Sequence, residues 1–243
     1  ELFAGKAEIK LRSQVEKMSK SKFNVVNPDR ICEEYGADTL RLYEMFLGPI
    51  QDSKPWNTKG IDGTHRFLKK LWSLFYDLDN QPQWDESKPC KDSLKILHKT
   101  IKKITEDIDN LSLNTSVSQF MICVNELSNQ KCKSITILSD LLILLNPFSP
   151  HITEELWNLT GNNGLIGDAQ WPVFEESYVA EKNKTYPISI NGKTRTNMEF
   201  PLDMSNQEIE SQVLQNEVVL KWLDGNYPKK VIIVPGRIVN IVV

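Results

Sequence analysis

The sequence predicts a mainly α protein, in which an antiparallel helical bundle precedes a small α+β domain. Two features of the 243 residues support this fold class. Between residues 61 and 157, apolar residues recur every three or four positions, the period of a helix that buries one face. After residue 184 apolar residues alternate instead, and Asn191-Gly192 is the two-residue turn typical of a β-hairpin. The period therefore changes from that of helices to that of strands.

Two short helices are expected before the bundle. Asn27-Pro28-Asp29 favours a helix start, because Pro suits the first turn. This helix should end near Gly36. The next should begin at residues 37–39 and stop at Gly48-Pro49. Residues 7–16 alternate loosely and predict a short strand or an extended segment.

Four or five helices should form the bundle. Their apolar stripes span residues 67–78, 94–111, 117–127, 135–145 and 151–157. Leu78 is expected on the buried face of the first of them. Asn114 or Ser116 is the candidate N-cap of the third.

The last sixty residues predict the α+β domain. Strands at 186–190 and 193–200 flank the Asn191-Gly192 turn, and two apolar strands follow at 231–234 and 238–243. Helices are expected between these hairpins, at 205–215 and 218–223. Ser205 and Glu208 have the spacing of a capping box at the first of these helices.

Composition limits the possible classes of function. An apolar content of 40% indicates a core-forming protein, and a net charge of −3 argues against a uniformly basic nucleic-acid binder. The four cysteines form no CxxC pair, so no metal site is expected. The longest apolar run, Leu141 to Leu145, is far too short to cross a bilayer, and no leader opens the chain. We therefore expect a cytoplasmic monomer without a membrane partner.

The loop Lys17-Met18-Ser19-Lys20-Ser21 is the strongest candidate for chemistry. Its two lysines and two hydroxyls place mobile donors where a polyphosphate could be held during nucleotidyl transfer. A Lys/Ser run by itself is more often a solvated connector. The residues that follow it must therefore decide between these two interpretations.

The ordered continuation resembles the signature loop of class I aminoacyl-tRNA synthetases and the helix after it, over residues 17–46, KMSKSKFNVVNPDRICEEYGADTLRLYEMF. The resemblance implies that Lys17 and Lys20 are catalytic cations, which stabilise charge on the leaving pyrophosphate of ATP. It also implies that Met18, Ser19 and Ser21 complete the ATP-binding loop. ATP and Mg²⁺ are then the substrate complex of a longer enzyme, and none is expected to bind this piece alone.

One residue departs from that family pattern. Phe23 stands where the family commonly has Gly before Asn24. A Gly at this position would permit a positive φ or a close approach of the backbone. The sequence alone therefore does not fix the backbone conformation of the loop near Phe23.

Other segments resemble one branch of the family. Residues 45–72, 188–195 and 231–243 resemble bacterial-type leucyl-tRNA synthetases more than their valyl or isoleucyl relatives. The resemblance implies an enzyme that activates leucine with ATP and transfers it to tRNA(Leu). It also implies that the bundle is an anticodon-binding-type domain lying along the tRNA, and that the tail reaches the outer corner of the RNA.

Two alternatives remain beside this interpretation. The chain begins without Met and lacks the HIGH-type motif of the family, so it is expected to be a C-terminal piece that is inactive alone. These residues would then act as a non-catalytic tRNA-binding module. The valyl or isoleucyl enzyme is the other alternative, but it would need a different C-terminal end.

His151 lies in a segment, residues 147–157, that resembles one found in the leucyl, valyl and isoleucyl enzymes. We interpret His151 as structural, with its ring bonded at a junction between helices.

Two groups of cations are candidates for RNA contact. Lys95, Lys99 and Lys102 gather along one helix, where a solvated face is an equally good interpretation. Residues 182–243 contain eight Lys and Arg residues against six Asp and Glu residues, and so carry a local net charge of +2. The cations of this part that lie at turns and strand ends are Lys193, Arg195, Lys229, Lys230 and Arg237. They would contact phosphates and RNA shape rather than sequence.

These features together predict four parts of the chain. Residues 1–60 should be the end of a catalytic domain, with the lysine loop and the stem-contact fold of the family. Residues 61–172 should form the helical bundle that binds tRNA, and 173–183 a linker. Residues 184–243 should form the small α+β domain.

Overall fold

A computed structural model describes residues 14–180 and 183–243 of the chain. The chain divides into two compact units, of which the first ends at Val179 and the second runs from Ala180 to Val243. The segment predicted over residues 7–16 lies mostly outside the described residues.

Two short helices follow the lysine loop, as predicted. α1 (Pro28–Tyr35) begins with Pro28 in its first turn, and the Asn27 side chain accepts a hydrogen bond of 2.9 Å from the Asp29 amide. Gly36 ends α1 with φ of +89°, a conformation in which a Cβ would be strained. α2 (Ala37–Phe46) starts directly after this glycine.

Five further helices share one core with α2 in the first unit. They are α3 (Ile61–Phe75), α4 (Lys91–Asp109), α5 (Leu113–Asn129), α6 (Ile135–Leu145) and α7 (Pro150–Leu159). The apolar stripes predicted from the sequence supply the buried residues. At the centre Phe120 meets Phe148 edge to face, with 5.1 Å between ring centroids.

Two details of the predicted helices are wrong. Leu78 is fully exposed, because α3 ends at Phe75 and the chain turns back to place the Gln83 amide 2.8 Å from the Phe75 carbonyl. The N-cap of α5 is Ser112, so Asn114 and Ser116 lie within its first turn. The Asp107 carboxylate at the end of α4 accepts a 2.7 Å hydrogen bond from Thr115, which fixes the tight turn between the two helices.

A charged junction joins α2 to the break between α6 and α7. The buried Asp38 carboxylate accepts hydrogen bonds from the Ile152 amide at 2.7 Å and the His151 amide at 3.3 Å. His151 Nδ1 lies 2.8 Å from the same carboxylate, which confirms the structural interpretation of this histidine. One turn further along α2, Arg41 donates to the Pro147 carbonyl at 2.9 Å. An anion thus faces the free amides at the start of α7, and a cation faces carbonyls just beyond α6.

The second unit is a four-stranded sheet with two helices. Its elements are β1 (Asn183–Ile190), β2 (Lys193–Pro201), α8 (Asn206–Gln215), α9 (Glu217–Leu223), β3 (Lys230–Val234) and β4 (Ile238–Val242). Both predicted hairpins and the capping box of Ser205 and Glu208 are confirmed. The strand order is β2-β1-β4-β3, in which β1 and β4 run parallel.

We expect Asp38→Ala to lower the free energy of unfolding by roughly 2–4 kcal/mol, because it leaves two amides and the His151 ring without their acceptor. Urea unfolding at neutral pH measures this change. The control is Asp92→Ala, which removes an exposed acid from the first turn of α4 and should cost about 0.5 kcal/mol. Equal losses in both variants would contradict a special role for the junction.

Candidate functional site

The lysine loop is a short turn closed by its own hydrogen bonds. Residues Lys20–Lys22 form one turn of 3₁₀ helix, and the Phe23 amide donates to the Lys20 carbonyl at 3.2 Å. The Ser19 amide donates to Asn24 Oδ1 at 2.8 Å, and the hydroxyls of Ser19 and Ser21 lie 2.8 Å apart. The serines therefore bond within the loop, and this shapes the backbone that carries the lysines.

The three lysines of the loop differ in their partners. Lys22 forms an ion pair with Glu16. The side chains of Lys17 and Lys20 are exposed, and neither has a hydrogen bond or ion pair among the residues that the structure describes. These two ammonium groups are therefore available to an anion, whereas Lys22 is already neutralised.

Phe23 occupies the backbone conformation that a glycine would favour. Its φ of +54° lies in the left-handed region, and its side chain is 95% exposed. A residue with a Cβ pays roughly 1–2 kcal/mol in this region, and an exposed ring offers no packing to offset that cost. The loop therefore makes its turn at the position where the family pattern has Gly, although this chain has Phe.

A large cleft lies beside the loop. It has a volume of about 1260 Å³ and is lined by residues of the loop, of α2 and of the segment between α2 and α3. Lys17 and Met18 line this cleft, whereas Ser19, Lys20 and Ser21 do not. Glu44 and Lys54, which were not predicted as site residues, also line it.

Lys54 and Trp56 are held in fixed positions at the cleft. Lys54 Nζ donates to the Gly48 carbonyl, and the Trp56 ring meets Tyr43 edge to face at 5.2 Å. Trp56 Nε1 donates to the Thr58 hydroxyl at 2.9 Å. In the sequence this segment has the composition of a linker, and no periodic pattern marks these two residues as neighbours of the loop.

The candidate cations of α4 are in different environments. Lys99 is exposed and Lys95 is half-buried. Lys102 Nζ lies 5.5 Å from the centroid of the Phe174 ring, in the geometry of a cation–π contact. The neighbouring Lys103 pairs with Asp107. The helix therefore does not present a uniform row of cations to a ligand.

Three of the five cations of the second unit lie at one end of its sheet. Lys193 pairs with Ile190 at the end of β1, Lys230 pairs with Val242 at the end of β4, and Lys229 precedes it. Because β1 and β4 are parallel, these ends coincide. Arg237 lies in the turn before β4, at the opposite end. We refer to Lys193, Lys229 and Lys230 as the sheet-end cluster.

Arg195 takes its position from a β-bulge. Thr194 pairs with Ser189 and Thr196 with Ile188, so Arg195 has no residue opposite it in β1. Its guanidinium carbon lies 3.6 Å from the centroid of the Trp222 ring on α9. Trp222 is half-exposed and was not predicted as a site residue, because nothing in the sequence indicates which strand residue it meets.

Neither a metal site nor a membrane helix is found in the described ranges. Residues 14–180 and 183–243 contain no group of three or more His, Cys, Asp or Glu side chains that could hold a metal ion. None of the helices in these ranges combines the length and the apolar content that a bilayer crossing requires.

Two protein families match separate parts of the sequence. Residues 8–54 match the family described as tRNA synthetases class I (I, L, M and V), and residues 91–211 match the anticodon-binding domain of tRNA ligase. The chain therefore belongs to the class I aminoacyl-tRNA synthetases. The two matches include the lysine loop and most of the helical core.

The relatives identify the leucyl branch of that class. The chain is 61% identical to the leucine–tRNA ligase of Christiangramia forsetii and 58% identical to that of Flavobacterium psychrophilum, each over 94% of its length. It spans 24% of each of these relatives. Among solved structures it is similar to the ternary complex of Agrobacterium radiobacter K84 agnB2 LeuRS with tRNA and LeuAMS, with a TM-score of 0.68 and 29% identity. That match covers 93% of this chain and 31% of the solved chain.

We expect Phe23→Gly to stabilise the loop turn by about 1 kcal/mol, because Gly adopts a positive φ without the Cβ penalty. The measurement is amide hydrogen exchange at Lys22 and residue 23, whose amides close the turn. Val25→Gly is the matched control, since Val25 is exposed and does not have a positive φ. Slower exchange in the control, or faster exchange in Phe23→Gly, would contradict the expectation.

Proposed function

We propose that the chain is part of a leucine–tRNA ligase, which activates leucine with ATP and transfers it to tRNA(Leu). The observation that carries the proposal is the lysine loop, whose Lys17 and Lys20 side chains have no ion pair with any described residue, in a chain 61% identical to a leucine–tRNA ligase over 94% of its length. In this proposal the loop serves the ATP step and the two units serve the tRNA.

The chemistry of the loop follows from where charge develops. When the leucine carboxylate attacks the α-phosphate of ATP, negative charge builds on the leaving pyrophosphate. Lys17 and Lys20 would stabilise that charge more strongly in the transition state than in the bound substrate. Met18, Ser19 and Ser21 would hold the loop against the nucleotide. ATP would enter as its Mg²⁺ complex, in which the metal ion also neutralises phosphate charge.

The helical part would bind tRNA along its length. We propose that residues 61–172 form an antiparallel bundle of the anticodon-binding type, preceded by the end of the catalytic domain over residues 1–60. Lys95, Lys99 and Lys102 are its candidate phosphate contacts. Lys99 is the best placed of the three, because Lys102 already faces an aromatic ring.

Residues 184–243 would be a second tRNA-binding domain after a linker at 173–183. The sheet-end cluster places Lys193 and Lys230 on the two outer strands, about 14 Å apart at the usual spacing of strands. Such a row suits a phosphate backbone, which is recognised by charge and shape. Arg195, whose guanidinium carbon lies over the Trp222 ring, would offer a planar cation for stacking or phosphate contact.

A second candidate function is that of a tRNA-binding module without catalysis. The match of residues 91–211 to an anticodon-binding domain favours it. For the 243 residues alone we expect this behaviour, because the relatives are about four times as long. The full-length protein distinguishes the two functions, since only the ligase would show leucine-dependent pyrophosphate exchange.

In the full-length protein, we expect Lys20→Ala to slow adenylate formation by roughly two to three orders of magnitude, the effect of losing one preorganised contact to developing charge. Lys17→Ala should act in the same direction. Leucine-dependent pyrophosphate exchange measures both. Lys22→Ala is the control, because Lys22 is paired with Glu16 and should change exchange less than tenfold. Unchanged exchange in Lys17→Ala and Lys20→Ala would remove the loop from the mechanism.

Charge reversal at the sheet-end cluster tests the second unit. We expect Lys229→Glu with Lys230→Glu to raise the KM for tRNA by about tenfold at low salt, through lost phosphate contacts, and to leave pyrophosphate exchange unchanged. The defect should shrink as added salt weakens wild-type binding. Arg237→Glu with Lys184→Glu, which makes the same change in net charge at the opposite end of the sheet, is the comparison and should have the smaller effect. Equal effects of the two changes would mean that net charge, and not the cluster, matters.

A further inference from the structure

The segment between α7 and the second unit lies along one face of α4. Trp171 Nε1 donates to the Thr105 hydroxyl at 3.0 Å, and the Phe174 ring lies beside Lys102. The Glu175 amide donates to His98 Nδ1 at 3.1 Å. We call residues 171–178 the strap.

The contacts of the strap converge on a single stripe of the helix. His98, Lys102 and Thr105 follow one another at spacings of four and three residues, so they share one face of α4. At the end of the strap, the Tyr178 ring stacks on His98 with 4.5 Å between centroids and 22° between planes. The strap is therefore docked from its first residue to its last, and the second unit begins two residues later, at Ala180.

His98 contacts Glu175 and Tyr178, the two docked residues of the strap that are closest in sequence to the second unit. It is only 7% exposed, and because Nδ1 accepts a hydrogen bond, the ring is neutral with its proton on Nε2. A proton on Nδ1 would replace the acceptor with a donor that faces the Glu175 amide. Docking of the strap therefore requires the neutral ring.

The groups around His98 have opposing effects on its charge. Burial lowers the pKa of His98, and the Glu175 carboxylate raises it by a smaller amount. The strap also brings the Tyr178 phenol against the ring, and on α4 the Lys102 ammonium lies over the neighbouring Phe174. The net effect disfavours the charged ring in the docked state.

We propose that His98 is a positioning residue for tRNA binding: it docks the strap on α4 and so keeps short the chain that leads to the second unit. This inference rests on the proposed function, in which both units bind one tRNA. Two linked binding units raise each other's effective concentration, which falls as the chain between them lengthens beyond what is needed to span the two sites.

The length of that chain sets the size of the effect. With the strap docked, β1 begins five residues after Tyr178, at Asn183. With the strap released up to Trp171, β1 begins twelve residues after the last docked residue. Effective concentration falls roughly as the −3/2 power of this length, which corresponds to a roughly fourfold loss. Release of the strap should therefore weaken tRNA binding by about fourfold and leave the ATP step unchanged.

The pH dependence follows from the lowered pKa. The docked strap binds fewer protons than the released strap, so docking is fully favoured above the ordinary pKa of histidine, about 6.5. As the pH falls below that value, the equilibrium constant for docking decreases, by at most tenfold per pH unit. Docking stops changing once the pH is below the pKa of His98 in the docked state.

The test uses the full-length protein and His98→Phe, which keeps a ring for Tyr178 but has no acceptor for the Glu175 amide. Amide hydrogen exchange over residues 174–178, corrected for the intrinsic rate at each pH, reports docking directly. We expect wild-type protection that declines below pH 6.5, and low protection at every pH in the variant. The KM for tRNA should rise about fourfold in the variant, with kcat and leucine-dependent pyrophosphate exchange unchanged.

Two further variants keep the test decisive. Tyr178→Ala removes the stacking contact from the strap side without changing α4, and should reproduce the loss of protection and the rise in KM. His65→Phe is the control, because His65 lies on α3 and contacts Tyr35 and Thr39. The inference is overturned if protection persists in His98→Phe and Tyr178→Ala, or if protection is lost while the KM for tRNA is unchanged. Absence of leucine-dependent exchange in the wild type would instead overturn the proposed function, and would leave docking measurable.

Discussion

The buried carboxylate of Asp38 is the interaction on which the geometry of the first unit depends. It sits in the first turn of α2, directly after the helix that leads out of the lysine loop, and binds the amides that open α7. A buried anion is costly unless it is fully bonded, so α2 and α7 are held in one relative position. Arg41 adds the opposite charge at the carbonyls beyond α6. The chain that carries Lys17 and Lys20 therefore leaves from a fixed point of the helical core.

Pairing within the chain decides which cations are available for ligands. Lys22 and Lys103 have carboxylate partners, and Lys102 faces an aromatic ring, whereas Lys17 and Lys20 have neither kind of contact among the described residues. A lysine that already has a partner gives up part of that interaction when it binds a phosphate. The unpaired lysines avoid this cost, and they are the two that the family resemblance assigns to the pyrophosphate. Local charge alone would not have separated them from their neighbours.

The helices and hairpins were predictable because their signals are local. Asn27-Pro28, Ser205 with Glu208, and Asn191-Gly192 each fix a boundary through contacts between residues that are close in sequence. Leu78 and the N-cap of α5 were predicted wrongly, because a turn closed by Gln83 and a carboxylate at Asp107 set those ends. The parallel pairing of β1 with β4, and the meeting of Arg195 with Trp222, join residues far apart in sequence. No short-range pattern reports such contacts.

The same distinction explains which parts of the candidate site the sequence revealed. The lysine loop is contiguous, so its residue types suggested phosphate chemistry, and the residues that continue it to position 46 supplied the family resemblance that favoured this interpretation. The walls of its cleft include α2 and a segment with the composition of a linker, and Lys54 reaches the site because the chain turns after α2 and Lys54 bonds to the Gly48 carbonyl. The strap also lies in a connector, which contains Pro172. It contacts α4 because His98, Lys102 and Thr105 lie on one face of that helix. The loop proposed to act on phosphate is thus contiguous in the sequence, whereas Lys54 and the strap lie in segments between helices or after them, which show no periodic pattern.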